Sequence, residues 1–429
     1  MLIFIILIIL IIIIGFVKVY TFIGSGDNIC IFWFRRDFRL EDNLALYHAS
    51  KYGKILPIFI FDDKQIDSKQ NEFFSSRSFA FMLSSLKELA EQIKQKKGKL
   101  IFKHGNPKEI LKSLYDKYNA PIFYNIDYTP FARSRDSTVD KLMETYPYDG
   151  QTMLYIDKPY KKFTPFYEYY KHKVRELVPK ISLEFVKPKN EHSDTSLLSD
   201  ISTDGAILRG GRKEALSLLQ NMKNKEYPQK NMEQNSLLSA HLKYGTVSIR
   251  EVYEEISNEP FRRQLFWREF YYQVAQNDPN CLAASYYPQN VAQWENNKEY
   301  FKRWCDGTTG FPIIDAAMTQ LNETGFIHNR GRLLVADFLI KILHIGWRWG
   351  EKYFAQNLID YDPIINNYNW QWVAGTAPFS QPKFRVFNPE RQTEKYDPQG
   401  EYVIKWKRFN GAPIVDYENE KNKYLKSIK

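Results

Sequence analysis

From Asn28 onward the chain alternates short apolar runs with amphipathic helical stretches, and this alternation ends near residue 150. The predicted strands are Asn28–Phe34, Lys54–Phe61, Lys99–Phe102 and Pro121–Asn125, and the predicted helices are Ser76–Gln95, Pro107–Tyr118 and Arg133–Glu144. Strands that alternate with helices favour a parallel, doubly wound sheet. The absence of a GxGxxG or P-loop sequence leaves no indication of a dinucleotide or triphosphate site in this sheet.

Beyond this region the pattern changes from mixed to helical. Residues 150–203 are rich in proline and lysine and predict a linker, and 204–429 predict an all-helical domain. Its clearer helices are Arg212–Asn221, Arg250–Ile256, Phe261–Gln276, Ile313–Glu323 and Gly331–His344. A length of 429 residues fits two to three domains. We therefore expect an α/β domain at 28–149, an interdomain linker and a helical C-terminal domain.

The first 17 residues carry no charge, and 1–24 is long enough to cross a membrane as a helix. The segment has neither the basic start nor the small-residue cleavage site of a signal peptide. Two interpretations stay open. One is a membrane tether, and the other is a start codon assigned too early, although no methionine lies between Met1 and Met82.

The net charge of +10 and a pI near 9.1 favour a polyanionic partner such as nucleic acid, although a lysine-rich solvated surface gives the same charge. The spacing of the three cysteines, Cys30, Cys281 and Cys305, suits neither a metal-ligand pair nor a disulfide framework, which favours a reducing compartment. Three thiolates are also too few for a cubane iron–sulfur site.

Five of the nine tryptophans lie between Trp304 and Trp372, interleaved with amide, arginine and carboxylate side chains. Such polar groups suit the partners of a buried flavin ring, and tryptophan is readily oxidised. On composition alone, tryptophans that simply fill a helical core are the more ordinary interpretation. The order of the residues is more specific than their composition.

Seven segments in order resemble the photolyase/cryptochrome family. They are Ile31–Leu46 (IFWFRRDFRLEDNLAL), Asn125–Asp136 (NIDYTPFARSRD), Gln264–Tyr272 (QLFWREFYY), Trp304–Leu321 (WCDGTTGFPIIDAAMTQL), His328–Arg332 (HNRGR), Asn369–Trp372 (NWQW) and Phe384–Pro389 (FRVFNP). They occur in family order within residues 29–406 and are most similar to the microbial members that repair cyclobutane pyrimidine dimers. The resemblance implies an α/β domain that can hold an antenna pigment, folate or deazaflavin, and a helical domain, 204–429, that holds FAD.

The resemblance also implies a set of FAD contacts: Tyr227, Asn235, Ser236, Leu237, Leu238, Ser239, Arg268, Asn329, Arg332, Asp360, Asp362 and Asn366. The segment 235–239 (NSLLS) precedes a predicted helix and suits a cradle for the pyrophosphate, although an ordinary helix cap has the same residues. Leu237 stands where relatives commonly carry arginine. Arg332 and Asp360 match the paired charges beside the flavin ring, and Asp362 is expected at its pyrimidine edge.

Asn366 matches the residue that faces flavin N5, where repair enzymes carry asparagine, plant cryptochromes aspartate and animal cryptochromes cysteine. A neutral amide can bond N5 without being a ready proton donor, which favours repair. Trp304, Trp347 and Trp370 match the electron-relay tryptophans of the family. Trp349 is an additional tryptophan, either a side branch of the relay or a packing residue.

In NWQW, Trp370 and Trp372 are two positions apart, so on a helix they point in different directions. The resemblance assigns Trp372 and Trp267 to the walls around a flipped-out dimer, and Arg330 and Arg385 to the DNA backbone. Gln264 stands where dimer-repair enzymes carry glutamate. Glutamine there is typical of the (6-4) photolyases, but the sequence His328-Asn329 lacks the paired histidines that (6-4) repair uses.

We therefore predict a lyase that repairs cyclobutane pyrimidine dimers by electron transfer from excited, reduced FAD. The alternatives are a cryptochrome-like blue-light receptor, a (6-4) photolyase and, from residues 1–24 alone, a membrane-tethered electron-transfer flavoprotein. The expected partner is damaged DNA, bound by a monomer in a DNA-containing intracellular compartment.

Overall fold

The computed structural model describes residues 28–188, 190–198, 208–223, 232–233, 235–278, 282–288, 294–379 and 384–428. The predicted segment 1–24 therefore lies outside the described residues. Within the described part of the chain, no helix is both long and apolar enough to cross a membrane.

Five parallel strands form one sheet in the order β3-β2-β1-β4-β5, which confirms the predicted doubly wound α/β class. The strands are β1 Ile29–Phe34, β2 Lys54–Phe61, β3 Ile101–His104, β4 Ile122–Asn125 and β5 Thr145–Tyr148. The helices of this part are α1 Leu44–Tyr52, α2 Asp63–Ile66, α3 Ser76–Gln95, α4 Pro107–Tyr118 and α5 Pro130–Asp140. The sequence prediction missed β5, a four-residue edge strand that contains Pro147.

The two faces of β1 show why these residues form a central strand. Cys30, Phe32 and Phe34 pack into one apolar layer, whereas Ile31 and Trp33 pack into the layer on the opposite face. Because side chains alternate along a strand, a run that is apolar at every position is buried between two layers of helices.

The remaining elements of the described chain are all helices, as predicted for residues 204–429. Its helices are α6 Phe163–Tyr170, α7 Arg212–Met222, α8 Leu238–Tyr244, α9 Ile249–Glu255, α10 Glu259–Asn277, α11 Lys298–Cys305, α12 Pro312–Thr324, α13 Asn329–Lys341, α14 Trp347–Asn357, α15 Pro363–Ala374, α16 Pro389–Tyr396, α17 Glu401–Trp406 and α18 Tyr417–Ser427, with a 3₁₀ turn at Ser196–Leu198. Helix α6 lies inside the predicted linker, where the sequence prediction placed no helix. Its buried aromatic residues pack against α10.

Candidate cofactor and substrate cavity

A cavity of about 440 Å³ lies among α8, α10, α13 and α15 of the helical part. This volume is within the usual range of ligand sites. The predicted site residues that line it are Asn235, Ser236, Leu238, Ser239, Gln264, Trp267, Arg268, Asn329, Arg332, Asp360, Asp362, Asn366, Trp370 and Trp372. The predicted residues that do not line it are Leu237, Trp304, Trp347, Arg330 and Arg385. Tyr227 lies outside the described residues.

Arg332 and Asp360 form an ion pair at the cavity wall. The Arg332 Nη2 atom donates to Asp360 Oδ2 at 2.8 Å, and its Nε donates to the carbonyl of Ile327 at 2.9 Å. The other carboxylate oxygen of Asp360, Oδ1, is buried and has no hydrogen-bond partner among the described residues. A buried acceptor left in this state costs free energy unless a ligand donates to it.

Asn366, which also lines this cavity, carries a second unsatisfied group. It lies in the first turn of α15, and its Nδ2 donor is buried without a partner in the part of the chain that the structure describes. The cavity thus combines a free acceptor at Asp360, a free donor at Asn366 and apolar walls. An acceptor, a donor and apolar walls together fit a flat heterocycle with polar edges. The isoalloxazine ring of a flavin has this chemistry.

Asp362 is held by the protein through both carboxylate oxygens. Oδ1 accepts from the backbone amides of Ile364 and Ile365 at 3.0 and 3.1 Å and so caps α15. Oδ2 accepts from the Tyr272 hydroxyl at 2.8 Å and from the guanidinium of Arg36. Burial alone raises the pKa of Asp362, but Arg36 and the other cationic and hydrogen-bond partners hold that pKa below its usual value. The contact of Asp362 with a flavin edge stays a prediction.

Arg36 was not identified from the sequence. It follows β1 in the α/β part, and it also contacts Asp127, at 3.5 Å, and the carbonyl of Lys243, at 3.0 Å. It therefore joins the carboxyl end of the sheet to the wall of the helical cavity. The only sequence signal was its place in the FRRD segment.

The segment 235–239, which is predicted to cradle the pyrophosphate, leads directly into helix α8. Helix α8 begins at Leu238, whose amide donates to Ser236 Oγ at 3.4 Å, and Leu237 adopts a left-handed conformation with φ of 57°. Leu237 packs towards the apolar core of the α/β part and does not face the cavity. Besides Arg268 and Arg332, a third cationic residue, Lys243, lines the cavity, and the sequence analysis did not single it out.

The mouth of the cavity is aromatic and polar. Trp267 of α10 and Trp372 of α15 are partly exposed, and Gln264 is exposed one turn before Trp267. Trp370 is only 2 % exposed, so the two tryptophans of NWQW differ in burial as the helical geometry predicts. Arg330 and Arg385 lie away from the lining and stack on Tyr396 and Phe387.

The three predicted relay tryptophans are all buried, with exposures of 0 % for Trp304, 1 % for Trp347 and 2 % for Trp370. The rings of Trp304 and Trp370 meet edge to face, with centroids 6.5 Å apart. Because none of the three reaches solvent, a relay to the surface needs a further member.

Two partly exposed tryptophans lie beside this set. A β-carbon at Gly346, which precedes Trp347, would lie 3.1 Å from the indole of Trp294. Trp349 packs edge to face on Phe301 at 5.1 Å, and Phe301 in turn stacks on Trp304 at 5.9 Å. The sequence analysis did not consider Trp294, which stands outside the quoted family segments.

A second cavity, of about 430 Å³, lies at the carboxyl ends of β1, β2 and β4. Its walls include Arg36, Asp62 and Asp127 from loops that follow these strands, and it shares Lys243 and Tyr361 with the first cavity. The sheet order changes direction between β1 and β4, which is where open α/β sheets bind ligands.

A doubly wound α/β domain against a helical domain with a flavin-sized cavity defines a two-domain, cofactor-binding architecture. Residues 30–183 match the family model described as DNA photolyase, and residues 261–409 match the FAD binding domain of DNA photolyase. The deoxyribodipyrimidine photo-lyase of Halobacterium salinarum is 30 % identical over 88 % of this chain and 88 % of its own. The chain therefore belongs to the DNA photolyase/cryptochrome family.

Solved structures agree with this assignment. An archaeal photolyase from Sulfolobus tokodaii, described with two FAD molecules, is 36 % identical with a TM-score of 0.87, covering 93 % of this chain and 99 % of that one. A cryptochrome from Synechocystis is 27 % identical with a TM-score of 0.84, covering 94 % of this chain and 100 % of that one.

Proposed function

We propose that this protein is a lyase that binds FAD in the helical cavity and repairs cyclobutane pyrimidine dimers in DNA under light. The observation that carries the proposal is the pair of unsatisfied buried atoms, Asp360 Oδ1 and Asn366 Nδ2, in a cavity whose mouth is lined by Trp267 and Trp372. When bound, FAD supplies light absorption and the electron that opens the dimer.

The residues of the chain bind and orient the two reactants. The Arg332 guanidinium places a positive charge beside the ring site and favours an anionic, reduced cofactor, while Asp360 compensates for the burial of that charge. The amide of Asn366 donates a hydrogen bond but is not an acid, so it holds the cofactor without protonating it. Both properties suit repair, in which the electron returns and no net redox change occurs.

The substrate is held by aromatic faces and by an amide. Trp267 and Trp372 offer the flat surfaces on which an extruded base stacks. Gln264, exposed at the mouth, can both donate to a pyrimidine carbonyl and accept from a ring N–H. Arg330 and Arg385 contact the phosphate backbone in this proposal, supported by the net charge of +10.

We also propose that electrons reach the cavity through Trp370. One arm runs through Trp347 to the partly exposed Trp294, and a second runs through Trp304 to Trp349. The position of Trp294 close to Gly346, the residue before Trp347, and the ring contacts of Phe301 with Trp304 and Trp349 support these two arms. The arms restore a reduced cofactor and are not needed once the cofactor is reduced.

The second cavity is proposed to hold an antenna pigment. Its position at the switch point of the sheet and its shared wall with the first cavity support this role. Both folate and flavin-type pigments, the latter including deazaflavin, combine a flat ring with polar groups, and the aromatic and charged lining suits that chemistry. The pigment is identified by mass spectrometry of what the purified protein releases on unfolding.

The test of the main proposal is loss of dimers from irradiated DNA, followed in the dark and under blue light with FAD-loaded protein. We expect loss only in the light, and for dimers rather than (6-4) products. FAD-loaded protein that leaves dimers intact in the light contradicts the proposal. Loss of (6-4) products alone would show that Gln264 belongs to a site for (6-4) products. If neither lesion is lost in the light, a light receptor is favoured.

A further inference from the structure

Phe163, the first residue of α6, lies flat against the indole of Trp267. The two rings are parallel to within 4°, and their centroids are 3.6 Å apart. Phe163 is buried, with 7 % of its surface exposed, whereas Trp267 is partly exposed and lines the cavity. Phe163 therefore covers one face of the Trp267 indole. The opposite face of the indole is left for the cavity.

The second face of Phe163 is covered by a cation. The guanidinium carbon of Arg263 lies 5.0 Å from the centroid of the Phe163 ring. Arg263 and Trp267 are four residues apart on α10, so their side chains leave the same side of that helix one turn apart. Phe163 is therefore inserted between them, in the order Arg263, Phe163, Trp267.

This order explains why a parallel ring pair is stable here. Two aromatic rings stacked face to face repel through their π electrons and usually adopt an offset or edge-to-face arrangement. A cation over the far face of Phe163 draws its π density away from Trp267 and offsets that repulsion. The geometry thus belongs to three residues together rather than to two rings packed by chance.

The other ring neighbours of Trp267 cannot fix its plane in the same way. Phe270 meets it edge to face at 5.8 Å, and Tyr271 is tilted against it at 5.9 Å. Both belong to α10, the helix that carries Trp267. Of these ring partners, Phe163 is the one from a different element, and it contacts a full face of the indole.

We infer that Phe163 is a positioning residue of the substrate site, which fixes the plane of Trp267 so that its free face is ready to stack on an extruded pyrimidine. The inference rests on the proposed function, because it needs a base at the mouth of the cavity. Stacking requires parallel planes, and a wall that is already ordered binds without the cost of immobilising a side chain on association. The predicted linker then contributes directly to recognition of the lesion.

The experiment measures dark equilibrium binding, by fluorescence anisotropy, of one oligonucleotide with a single thymine dimer and of the same oligonucleotide undamaged. Phe163→Leu keeps an apolar side chain but removes the flat ring, whereas Phe163→Tyr keeps the flat ring. Phe166→Leu is the matched control. Phe166 is buried on the same helix and contacts Phe270 at 5.4 Å, with no ring contact to Trp267 among the described residues.

We expect Phe163→Leu to weaken binding of the dimer about tenfold, the scale of one lost stacking contact, and to leave binding of undamaged DNA unchanged. Phe163→Tyr should bind like the wild type, and so should Phe166→Leu. In repair assays with chemically reduced enzyme, Phe163→Leu should raise KM and leave kcat at saturating dimer unchanged. Thermal unfolding of each variant shows whether both leucine variants are folded and equally stable.

Equal dimer affinity in Phe163→Leu and the wild type overturns the inference. An equal loss in Phe166→Leu also overturns it, because that loss reports on α6 as a whole. Failure of the proposed function is a separate result, visible in the wild type alone as equal affinity for damaged and undamaged DNA, and it would overturn both proposals.

Discussion

The ammonium of Lys341 lies 2.7 Å from the carboxylate of Asp337, and both side chains are almost completely buried. Each partner also anchors the segment that carries Arg385. Lys341 Nζ donates to the carbonyl of Arg385 at 2.6 Å, and Asp337 Oδ2 accepts from the amide of Phe387 at 2.8 Å. A buried ion pair thus fixes the backbone from which a proposed phosphate contact extends.

We expect Lys341→Met to lower the free energy of unfolding by about 3–5 kcal/mol, because it leaves the Asp337 charge buried without its partner. Urea unfolding measures this. In the double variant Lys341→Met/Asp337→Leu most of the stability should return, since both charges are gone. DNA affinity should stay reduced in the double variant, because both backbone anchors are lost. A double variant with wild-type affinity would show that Arg385 needs no anchoring.

The two proposed relay arms predict additive effects. Trp304→Phe and Trp347→Phe should each slow photoreduction of oxidised FAD by a thiol, and the double variant should be slower than either. Absorbance of oxidised FAD under blue light measures the rate. Repair by chemically reduced enzyme should be unchanged in all three and serves as the control. If oxidised FAD in Trp304→Phe is photoreduced at the wild-type rate, Trp304 is not part of the relay and the second arm is contradicted.

His328 predicts a specific dependence of stability on pH. Its Nδ1 accepts from the amide of Arg330 at 3.0 Å and caps α13, so the capping ring is neutral. Burial, followed by the charges of Arg332 and Arg330, lowers the pKa of His328 to about 4. The unfolded chain takes up a proton near pH 6.5 and the folded chain does not, so stability falls as the pH drops from 6.5 towards 4.

The variant His328→Asn keeps a capping acceptor but does not titrate. We expect its free energy of unfolding to fall less than that of the wild type over this pH range, by roughly 1–3 kcal/mol. Urea unfolding at pH 7.5, 6 and 5 gives the comparison, in which every other titrating group is common to both proteins. Parallel pH curves for the two proteins would show that His328 is not held neutral.

Arg36 predicts how firmly the two domains are joined. Arg36→Gln removes the ion-pair partner of the buried Asp362, raises the pKa of that carboxyl, and should cost about 3–5 kcal/mol of folding stability at neutral pH. Arg77→Gln is the matched control, since Arg77 also bridges the domains but donates to the neutral carbonyl of Asn322. Its cost should be about 1 kcal/mol. Equal costs in urea unfolding would show that the charge of Asp362 is not held by Arg36.

Local structure was largely predictable from the sequence. The helices Ser76–Gln95 and Pro107–Tyr118 have the predicted bounds because a serine or asparagine cap and a period of apolar residues determine them. Helix α5 begins earlier than predicted, since Thr129 caps it and Pro130 occupies its first turn. Such signals act within a few residues and can be read along the chain.

Contacts between distant segments were not predictable in this way. Arg36 and Asp362 are 326 positions apart, and the sequence around each residue does not indicate which charged residue it contacts. The family resemblance assigned Arg332, Asp360 and Asn366 to one cofactor site, and all three line one cavity, yet it gave no information on Trp294 or Phe163. A pairing that depends on how two domains dock appears only in the folded structure.

The insertion of Phe163 between Arg263 and Trp267 has a consequence for dividing the protein into fragments. A fragment that begins at residue 204 retains α8, α10, α13 and α15, whose residues surround the cofactor site, but it lacks α6. If the proposed function holds, a cut at the predicted domain boundary therefore keeps the residues around the proposed FAD site and removes a residue that positions the wall of the lesion site. A fragment meant to keep both must include α6, and it must also include Arg36 of the α/β part, which pairs with the buried Asp362 at the cavity wall.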